Sequence, residues 1–359
     1  MIERRSLLEW RPENLAAHLG KLGEPPYRAR QVFDWALMRG ATRFADMTDL
    51  PRSLRDTLAK ELVIRCATEI RRSEAPDGTL KLLLAWRDGA TTESVMIPAE
   101  GNRRRRTVCL STQVGCDVGC RFCASGIGGS LRNLSVGEIL EQAVTIDSVL
   151  AGRGERLTHV VFMGMGEPLA NYRATVEAVR RINAPWSLGI AQRRITVSTV
   201  GLPRQIIRLA DEGLQITLAL SLHAARESLR RDLIPWATHA PLAELLAACR
   251  FYLEKTGREV TLEYCLLAGV NDRQEDVQEL AHIARHIRAH VNLMMYNPVD
   301  SLPFKRPSRG GAIAFLAALR ERGINAHLRE SRGLEAAAAC GQLRRSHVGR
   351  SRMRDDSTT

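Results

Sequence analysis

Cys116-Asp117-Val118-Gly119-Cys120-Arg121-Phe122-Cys123 spaces three cysteines as C-x3-C-x2-C. Gly115, Gly119 and Gly126 surround them, and glycine lets a backbone turn tightly about a ligand. Three thiols this close can wrap one compact cluster. Iron–sulfur cubes ordinarily take four cysteine ligands. Three ligands leave one iron open, and an open position marks a catalytic metal site rather than a structural one. Such an iron can chelate a small molecule through an amine and a carboxylate. Phe122, between two ligands, can shield the cluster from water. The alternative is a structural zinc site completed by a distant ligand such as Cys109 or a histidine.

The motif follows a candidate strand at 107–112, and that strand opens a series. Further strands are expected at 158–163, 194–200, 214–221, 259–266 and 291–296. They alternate with helical stretches at 135–151, 171–183, 203–212, 241–256, 274–289 and 308–321, with a short turn at 226–231 and one more strand within 323–329. Ser135-Val136-Gly137-Glu138 has the form of a capping box. Pro203 and Pro241 stand near helix starts, and Gly213 and Gly323 near helix ends. Six strand–helix units imply a parallel sheet. They are too few for a closed eightfold barrel, so the expected α/β fold is an open, partial (βα)6 barrel. Periodicity alone does not separate this from a doubly wound sheet. In a barrel the C-terminal strand ends carry the active site, and the cysteine motif lies at one of them.

Residues upstream read differently. Segments 12–20, 27–39 and 51–61 have helical apolar spacing. Residues 66–98 read as short strands, with Leu80–Leu84 and Ser94–Ile97 set off by turns at Pro76-Asp77-Gly78 and Arg87-Asp88-Gly89. The expected organisation is a helical accessory domain over 1–65, a β-linker over 66–106, the barrel over 107–330, and a C-terminal segment over 331–359. That last segment carries Cys340 and a basic tail.

The 359 residues are 45% hydrophobic and 26% charged, which excludes a disordered or collagen-like chain. No apolar run reaches the 18 or so residues of a membrane span, and no signal-peptide core opens the chain. The expected location is the cytoplasm. The eight cysteines are too sparse for a secreted disulfide framework, and half of them fall between 109 and 123. Cys66, Cys249 and Cys265 are expected as small buried hydrophobes. The net charge is +12, which favours a polyanionic partner, nucleic acid before a membrane surface. Only five of the 52 cations are lysine, a ratio that codon usage largely explains.

Polar residues gather at successive strand ends. Gly164-Met165-Gly166-Glu167-Pro168 follows the second strand, and Glu167 can accept from an ammonium group. Ser198, Ser221, His223 and Asn297 end the third, fourth and sixth. Alone, each reads as a satisfied strand end; together they point to one ligand.

The cysteine spacing, with an aromatic before the third cysteine, resembles the radical S-adenosylmethionine (radical-SAM) superfamily. The wider pattern resembles the RlmN/Cfr family of RNA adenine methyltransferases. It is carried by Cys109–Cys116, Arg132-Asn133-Leu134, Gly164–Leu169, Ser198–Gly201, Ser221-Leu222-His223, Tyr296-Asn297-Pro298 and Cys340-Gly341-Gln342-Leu343, and spans about 93 to 343. The resemblance implies a partial radical-SAM barrel with a [4Fe-4S] cluster on Cys116, Cys120 and Cys123. It implies S-adenosylmethionine against Gly166, Glu167, Ser198, Ser221, Leu222, His223 and Asn297. Cys340 would carry the methyl group, and a radical formed on that carbon would add to adenine. Carbon 2 of adenine is electron-poor and cannot attack a methyl sulfonium, which is why a radical cofactor is needed. Cys109 would resolve the protein–RNA adduct through a transient disulfide with Cys340; the ring proton would pass either to Glu93, which matches the family's proposed proton acceptor, or to Cys109.

The implied substrates are 23S ribosomal RNA and, beside it, tRNA. The implied electron donor is a flavodoxin-like protein, with no membrane partner and a monomeric enzyme. Methylation of carbon 8 of the same adenine is the near alternative. A radical-SAM enzyme on another substrate, and a catalytically silent RNA binder, are the distant ones. Arg103–Arg106, Arg121, Arg132 and the arginines at 344, 345, 350, 352 and 354 are expected to cradle RNA phosphates. Residues 124–131 depart from the family pattern, which usually has a threonine near 125 and often an aromatic before Arg132. The departure bears on the choice of base and ring carbon.

Overall fold

A computed structural model describes residues 4–99 and 104–343. Near the N-terminus, strand β1 (Arg5–Ser6) and helices α1 (Pro12–Lys21), α2 (Tyr27–Phe33) and α3 (Arg52–Glu61) lead into β2 (Leu62–Val63). Three strands follow, β3 (Thr68–Glu74), β4 (Leu80–Ala85) and β5 (Thr91–Pro98). The barrel begins with β6 (Arg106–Cys109), the short pair β7 (Gln113–Gly115) and β8 (Ser130–Asn133), and α4 (Val136–Ala151). It continues through β9 (His159–Phe162), α5 (Tyr172–Asn183), β10 (Ile195–Thr199), α6 (Pro203–Asp211), β11 (Thr217–Ser221), α7 (Glu227–Leu233) and α8 (Leu242–Thr256). It ends with β12 (Thr261–Leu266), α9 (Gln274–His286), β13 (His290–Met295), α10 (Arg309–Glu321) and β14 (Ala326–Arg329). No helix among the described residues is long and apolar enough to cross a membrane.

The sheet order resolves the alternative that periodicity left open. β6, β9, β10, β11, β12, β13 and β14 pair in parallel, each beside its sequence neighbour. A doubly wound sheet reverses direction at a switch point; this one runs one way, as a barrel does. The sheet ends at β14 without pairing back to the other edge. The stretch expected as a linker is an extension of the same sheet, since β3, β4 and β5 join antiparallel through β5 onto β6. The whole sheet is ten-stranded.

Local sequence explains the helix boundaries. The Ser135 hydroxyl accepts from Glu138 N–H while the Glu138 carboxylate accepts from Ser135 N–H at 2.8 Å, completing the capping box. Pro203 opens α6 in the first turn, where its missing N–H costs nothing. The helix expected over 27–39 departs from simple α geometry: after Phe33 it becomes a π-helical turn over Asp34–Met38. There Trp35 donates its indole N–H to Asp49 at 2.6 Å. The helix expected to reach 289 stops at His286, and Arg288 then takes a φ of 50°.

Two cores meet at α4. One fills the barrel between sheet and helices. The other is built from Leu7 to Ile64 and takes Val144 from the barrel helix. Polar contacts fix the join: Gly137 N–H donates to Glu9 at 3.0 Å, and the buried Arg181 donates to the Leu8 carbonyl at 2.8 Å.

Candidate active site

The three motif cysteines line one cavity at the C-terminal ends of the barrel strands. It holds about 920 Å³ of non-atom space, mouth included. β9 contributes Phe162 and the turn Met163–Pro168, β10 Ser198 and Thr199, β11 Ser221, β12 Glu263 and Cys265, and β13 Met294. Strand pairing in parallel register brings these ends to one rim, as the sequence order of strands and helices foretold.

The cysteine loop is closed by its own bonds. Cys123 N–H donates to the Cys120 carbonyl at 3.1 Å, and Gly126 N–H to the Cys123 carbonyl at 3.2 Å. Asp117 accepts from Ser130 N–H at 2.7 Å and from its hydroxyl at 2.6 Å, tying the loop to the β7–β8 pair. Gly126 packs closely on the loop, where a Cβ would sit 3.2 Å from the Gly119 Cα. Burial raises all three thiols, Cys116 to about 12 and Cys120 well above its ordinary value, with the neighbouring thiols adding to it. Thiols that resist ionising alone are suited to a cationic group that takes up their charge.

The donor set fits a cluster better than a single ion. Among the described residues no three His, Cys, Asp or Glu side chains gather tightly enough to hold one metal ion. The motif thiols instead stand around a cavity with room for a multi-atom group and a ligand beside it. Phe122, expected as a shield, is buried on the cavity wall with its ring edge-on to His223 at 5.0 Å.

Glu167 is fixed by the backbone. Its two oxygens accept from Leu169 N–H at 2.9 Å and Val200 N–H at 2.7 Å. Burial pushes its carboxyl up to about 7 against those hydrogen bonds. Gly166, at φ 101°, packs so closely on Gln113 that a Cβ would lie 2.6 Å away. The Ser198 and Ser221 hydroxyls are 3.1 Å apart. His223 takes a φ of 55°, and its Nδ1 accepts from Cys265 N–H at 3.1 Å. Burial lowers its pKa to about 3, so the ring is neutral with its proton on Nε2. Asn271, which the sequence reading missed, sets this turn by donating to the His223 and Cys265 carbonyls, both at 2.7 Å.

Two expected ligand contacts are placed elsewhere. The Leu222 side chain is fully buried in the barrel core, because strand alternation turns it away between Ser221 and His223. Asn297 does not line the main cavity. It donates to the Cys340 carbonyl at 3.1 Å and accepts from Arg306 at 2.8 Å.

Cys340 is exposed and lines the same cavity as the motif cysteines. It rides on an arm, residues 333–343, held by distant partners. Gly333 N–H donates to Asp77 at 2.9 Å, and Lys81 donates to the Ala337 carbonyl at 2.9 Å. Ala124 N–H donates to the Gly341 carbonyl at 2.8 Å, and the Ser125 hydroxyl to the Leu343 carbonyl at 2.6 Å. Under the arm, Ala338 and Leu343 pack against Val95, Cys109 and Met165. Cys109 is buried there, its thiol pushed up to about 12 by burial and by Cys340. Glu93, on β5, pairs with Lys81 at 2.9 Å. Arg329 at the end of β14 is partly exposed beside Cys340 and Cys109, with Glu263 at 3.9 Å; nothing in its sequence context marked it.

The other cysteines divide. Cys249 is a core hydrophobe as expected. Cys265 is buried but faces the cavity, and Cys66 is only half-buried beside a polar hollow next to the N-terminal segment. The arginines expected on phosphates also divide. Arg121 is exposed. Arg132 is committed to Glu138 at 2.8 Å and to Asp88, and Arg106 pairs with Glu155, because both lie where strand edges meet acidic helix or loop residues. Arg105 is exposed, and partial desolvation with nearby Arg329 lowers its pKa. Arg103 and the arginines at 344, 345, 350, 352 and 354 lie outside the described residues.

Comparison with known proteins agrees with this geometry. Residues 110–282 match the radical SAM superfamily, and residues 5–64 match the ribosomal RNA large subunit methyltransferase N-terminal domain. The chain is 48% identical over 335 residues to the probable dual-specificity RNA methyltransferase RlmN of Thermosynechococcus vestitus, covering 93% of this chain and 96% of that one. It is 49% identical to the protein of the same name from Gloeobacter violaceus, covering 94% and 95%. A crystal structure of a radical SAM methyltransferase from Sphaerobacter thermophilus superposes with a TM-score of 0.91 at 44% identity, covering 94% of this chain and 99% of that one.

Proposed function

This chain belongs to the RlmN family of radical-SAM RNA methyltransferases, and we propose that it delivers a methyl-derived carbon through Cys340 to carbon 2 of an adenine in 23S ribosomal RNA and in tRNA. The enzyme acts on RNA, and its cofactors are a [4Fe-4S] cluster and S-adenosylmethionine. The observation that carries the proposal is the position of Cys340. More than two hundred residues beyond the cysteine motif, it lines the same cavity as Cys116, Cys120 and Cys123.

Cys116, Cys120 and Cys123 would hold the cluster. When bound, it supplies the electron that makes a carbon radical from S-adenosylmethionine. The remaining work falls to the chain. Gly166, Glu167, Ser198, Ser221 and His223 line the wall on which the cofactor would lie. The neutral His223 offers an N–H donor, and the paired serine hydroxyls offer donors and acceptors. Asn297 acts at one remove, holding the Cys340 carbonyl. Leu222 serves through its backbone, its N–H donating to the Glu263 carbonyl at 3.1 Å. Cys340 would take up the methyl group by displacement: its thiolate, a strong nucleophile, forms the new S–CH3 bond as the S–CH3 bond of one S-adenosylmethionine breaks and S-adenosylhomocysteine leaves. After the carbon has joined the adenine and one electron has returned from the adduct to the cluster, Glu93 would accept the ring proton. Cys109, under the arm, would then attack the Cys340 sulfur, forming the disulfide as the Cys340 S–C bond breaks, and the released carbon, keeping the electron pair, takes a proton to become the product methyl.

The helical unit over 1–65 is proposed to bind RNA and the 331–359 segment to carry the methyl group in and out. Residues 66–106 connect the accessory unit to the barrel at 107–330. A flavodoxin-like donor and a monomeric enzyme complete the proposal. Mass spectrometry of 23S RNA and tRNA from cells that express the chain or lack it tests the reading. The expected product is 2-methyladenosine in both RNAs, lost with Cys340→Ala. 8-Methyladenosine would replace the choice of carbon, and methylation by Cys340→Ala would overturn the route.

A further inference from the structure

Lys81 lies opposite Val95 across β4 and β5, and Val95 lies opposite Cys109 across β5 and β6. Residues paired across neighbouring strands share a face, so Lys81, Val95 and Cys109 stand in a row. Glu93 is one step along the same face of β5. The arm crosses this face, with Ala338 packed on Val95 and Cys109.

The Lys81 ammonium makes two contacts there. It pairs with Glu93 Oε1 at 2.9 Å and donates to the Ala337 carbonyl at 2.9 Å. Both side chains are mostly buried, 12% and 8% exposed. Ala337 stands three residues before Cys340 and takes a φ of 47°, a conformation that L side chains rarely adopt. The other bonds to the barrel grip the arm's two ends: Asp77 at Gly333, then Asn297, Ala124, Ser125 and the Pro298 carbonyl between Cys340 and Leu343. Lys81 grips its middle. An ammonium has three donors on a flexible stem and can serve a carboxylate and a carbonyl at once, where a planar guanidinium fork is less suited. Lys81 is one of only five lysines in a chain with 47 arginines.

We propose that Lys81 is a positioning residue that registers the methyl-carrying arm against Glu93. The carbon on Cys340 and the carboxylate that takes the ring proton then meet one adenine in a fixed relation. The proposal rests on the roles given above to Cys340 and Glu93. The loading of Cys340 needs only the thiol and the cofactor wall, whereas the finishing of the adduct needs the arm and Glu93 in register. Lys81 therefore bears on the second half of the reaction.

The test uses reconstituted holoenzyme with Lys81→Met, Lys81→Arg, Glu93→Gln, Cys340→Ala and the double variant Lys81→Met/Glu93→Gln. Five quantities are measured: bound iron, methyl on Cys340 before RNA is added, covalent protein–RNA adduct, methylated RNA formed, and hydrogen exchange over 334–339. Lys81→Met is expected to keep its iron and its Cys340 methyl, to lose about 10- to 100-fold in RNA product, and to retain the covalent protein–RNA adduct. Exchange over 334–339 quickens. Lys81→Arg recovers part of the product, and the double variant is no slower than Glu93→Gln alone. Wild-type product formation by Lys81→Met overturns the proposal. So does a matching loss of iron, Cys340 methyl and product, which would mark a merely structural lysine. If Glu93→Gln or Cys340→Ala turns over normally, the underlying reading has failed and this proposal falls with it.

Discussion

The loop that carries Cys116, Cys120 and Cys123 is closed mainly by bonds within twenty residues of itself, from Cys123 to Cys120 and from Asp117 to Ser130, with one distant bond from Arg121 N–H to the Leu233 carbonyl at 2.9 Å. The arm that carries Cys340 is held from far away: by Asp77 and Lys81 across 256 residues, by Ser125 across 218, and by Asn297 across 43. The loop is built to hold a resident group at fixed spacing. The arm is docked through single hydrogen bonds, each worth about 1 kcal/mol net, and through the packing of Ala338 and Leu343 against Val95, Cys109 and Met165. A reaction that loads a carbon at one station and spends it at another needs both kinds of construction.

The comparison predicts a graded set of losses. Alanine at Cys116, Cys120 or Cys123 removes one of the three thiols proposed to hold the cluster. Iron content and RNA methylation both fall to background, as measured by iron assay and product mass spectrometry. Alanine at Cys340 should separate the two constructions. Bound iron and reductive cleavage of S-adenosylmethionine persist while RNA methylation disappears; loss of iron there would mean the arm is part of the cluster's own frame.

Loosening the arm without touching its thiol gives a smaller effect. Asn297→Ala and Ser125→Ala each remove one anchor and are expected to cost about 1 kcal/mol of docking, or about fivefold in turnover where docking limits the rate. Faster hydrogen exchange over 338–343 is the readout, with the cysteine loop unchanged. The smallest effect is expected at Arg132, on the loop's side of the comparison. Its guanidinium is engaged by Glu138 and Asp88, so Arg132→Met should leave the salt dependence of RNA binding unchanged to within about one phosphate contact. It should lower stability by no more than about 1 kcal/mol.

How much of this was legible in the sequence follows from the same division. The cysteine loop could be read directly, because its ligands and glycines lie within one short stretch. The barrel could be read because alternating strand and helix periods leave few topologies. Open-barrel strand order could not be read from periodicity, nor could the joining of β3–β5 to the barrel edge, since pairing partners are not marked in local pattern. Leu222 and Asn297 illustrate the limit at the level of a residue. Both stand beside true wall residues, yet strand alternation turns Leu222 into the core and the arm claims Asn297. Arg132 and Arg106 looked like free cations only because their acidic partners lie elsewhere in the chain. Asn271 and Arg329 left no signal; their importance comes from what they touch across the fold. Lys81 left a faint one, a lysine where this chain otherwise writes arginine.

The most direct test follows the methyl group itself. Anaerobically reconstituted enzyme is given S-adenosylmethionine labelled in its methyl group, freed of excess, and then given unlabelled S-adenosylmethionine with RNA under reducing conditions. The label should appear on Cys340 before RNA is present and then pass to adenine carbon 2. RNA that acquires only unlabelled carbon while the label stays on the protein would contradict the account.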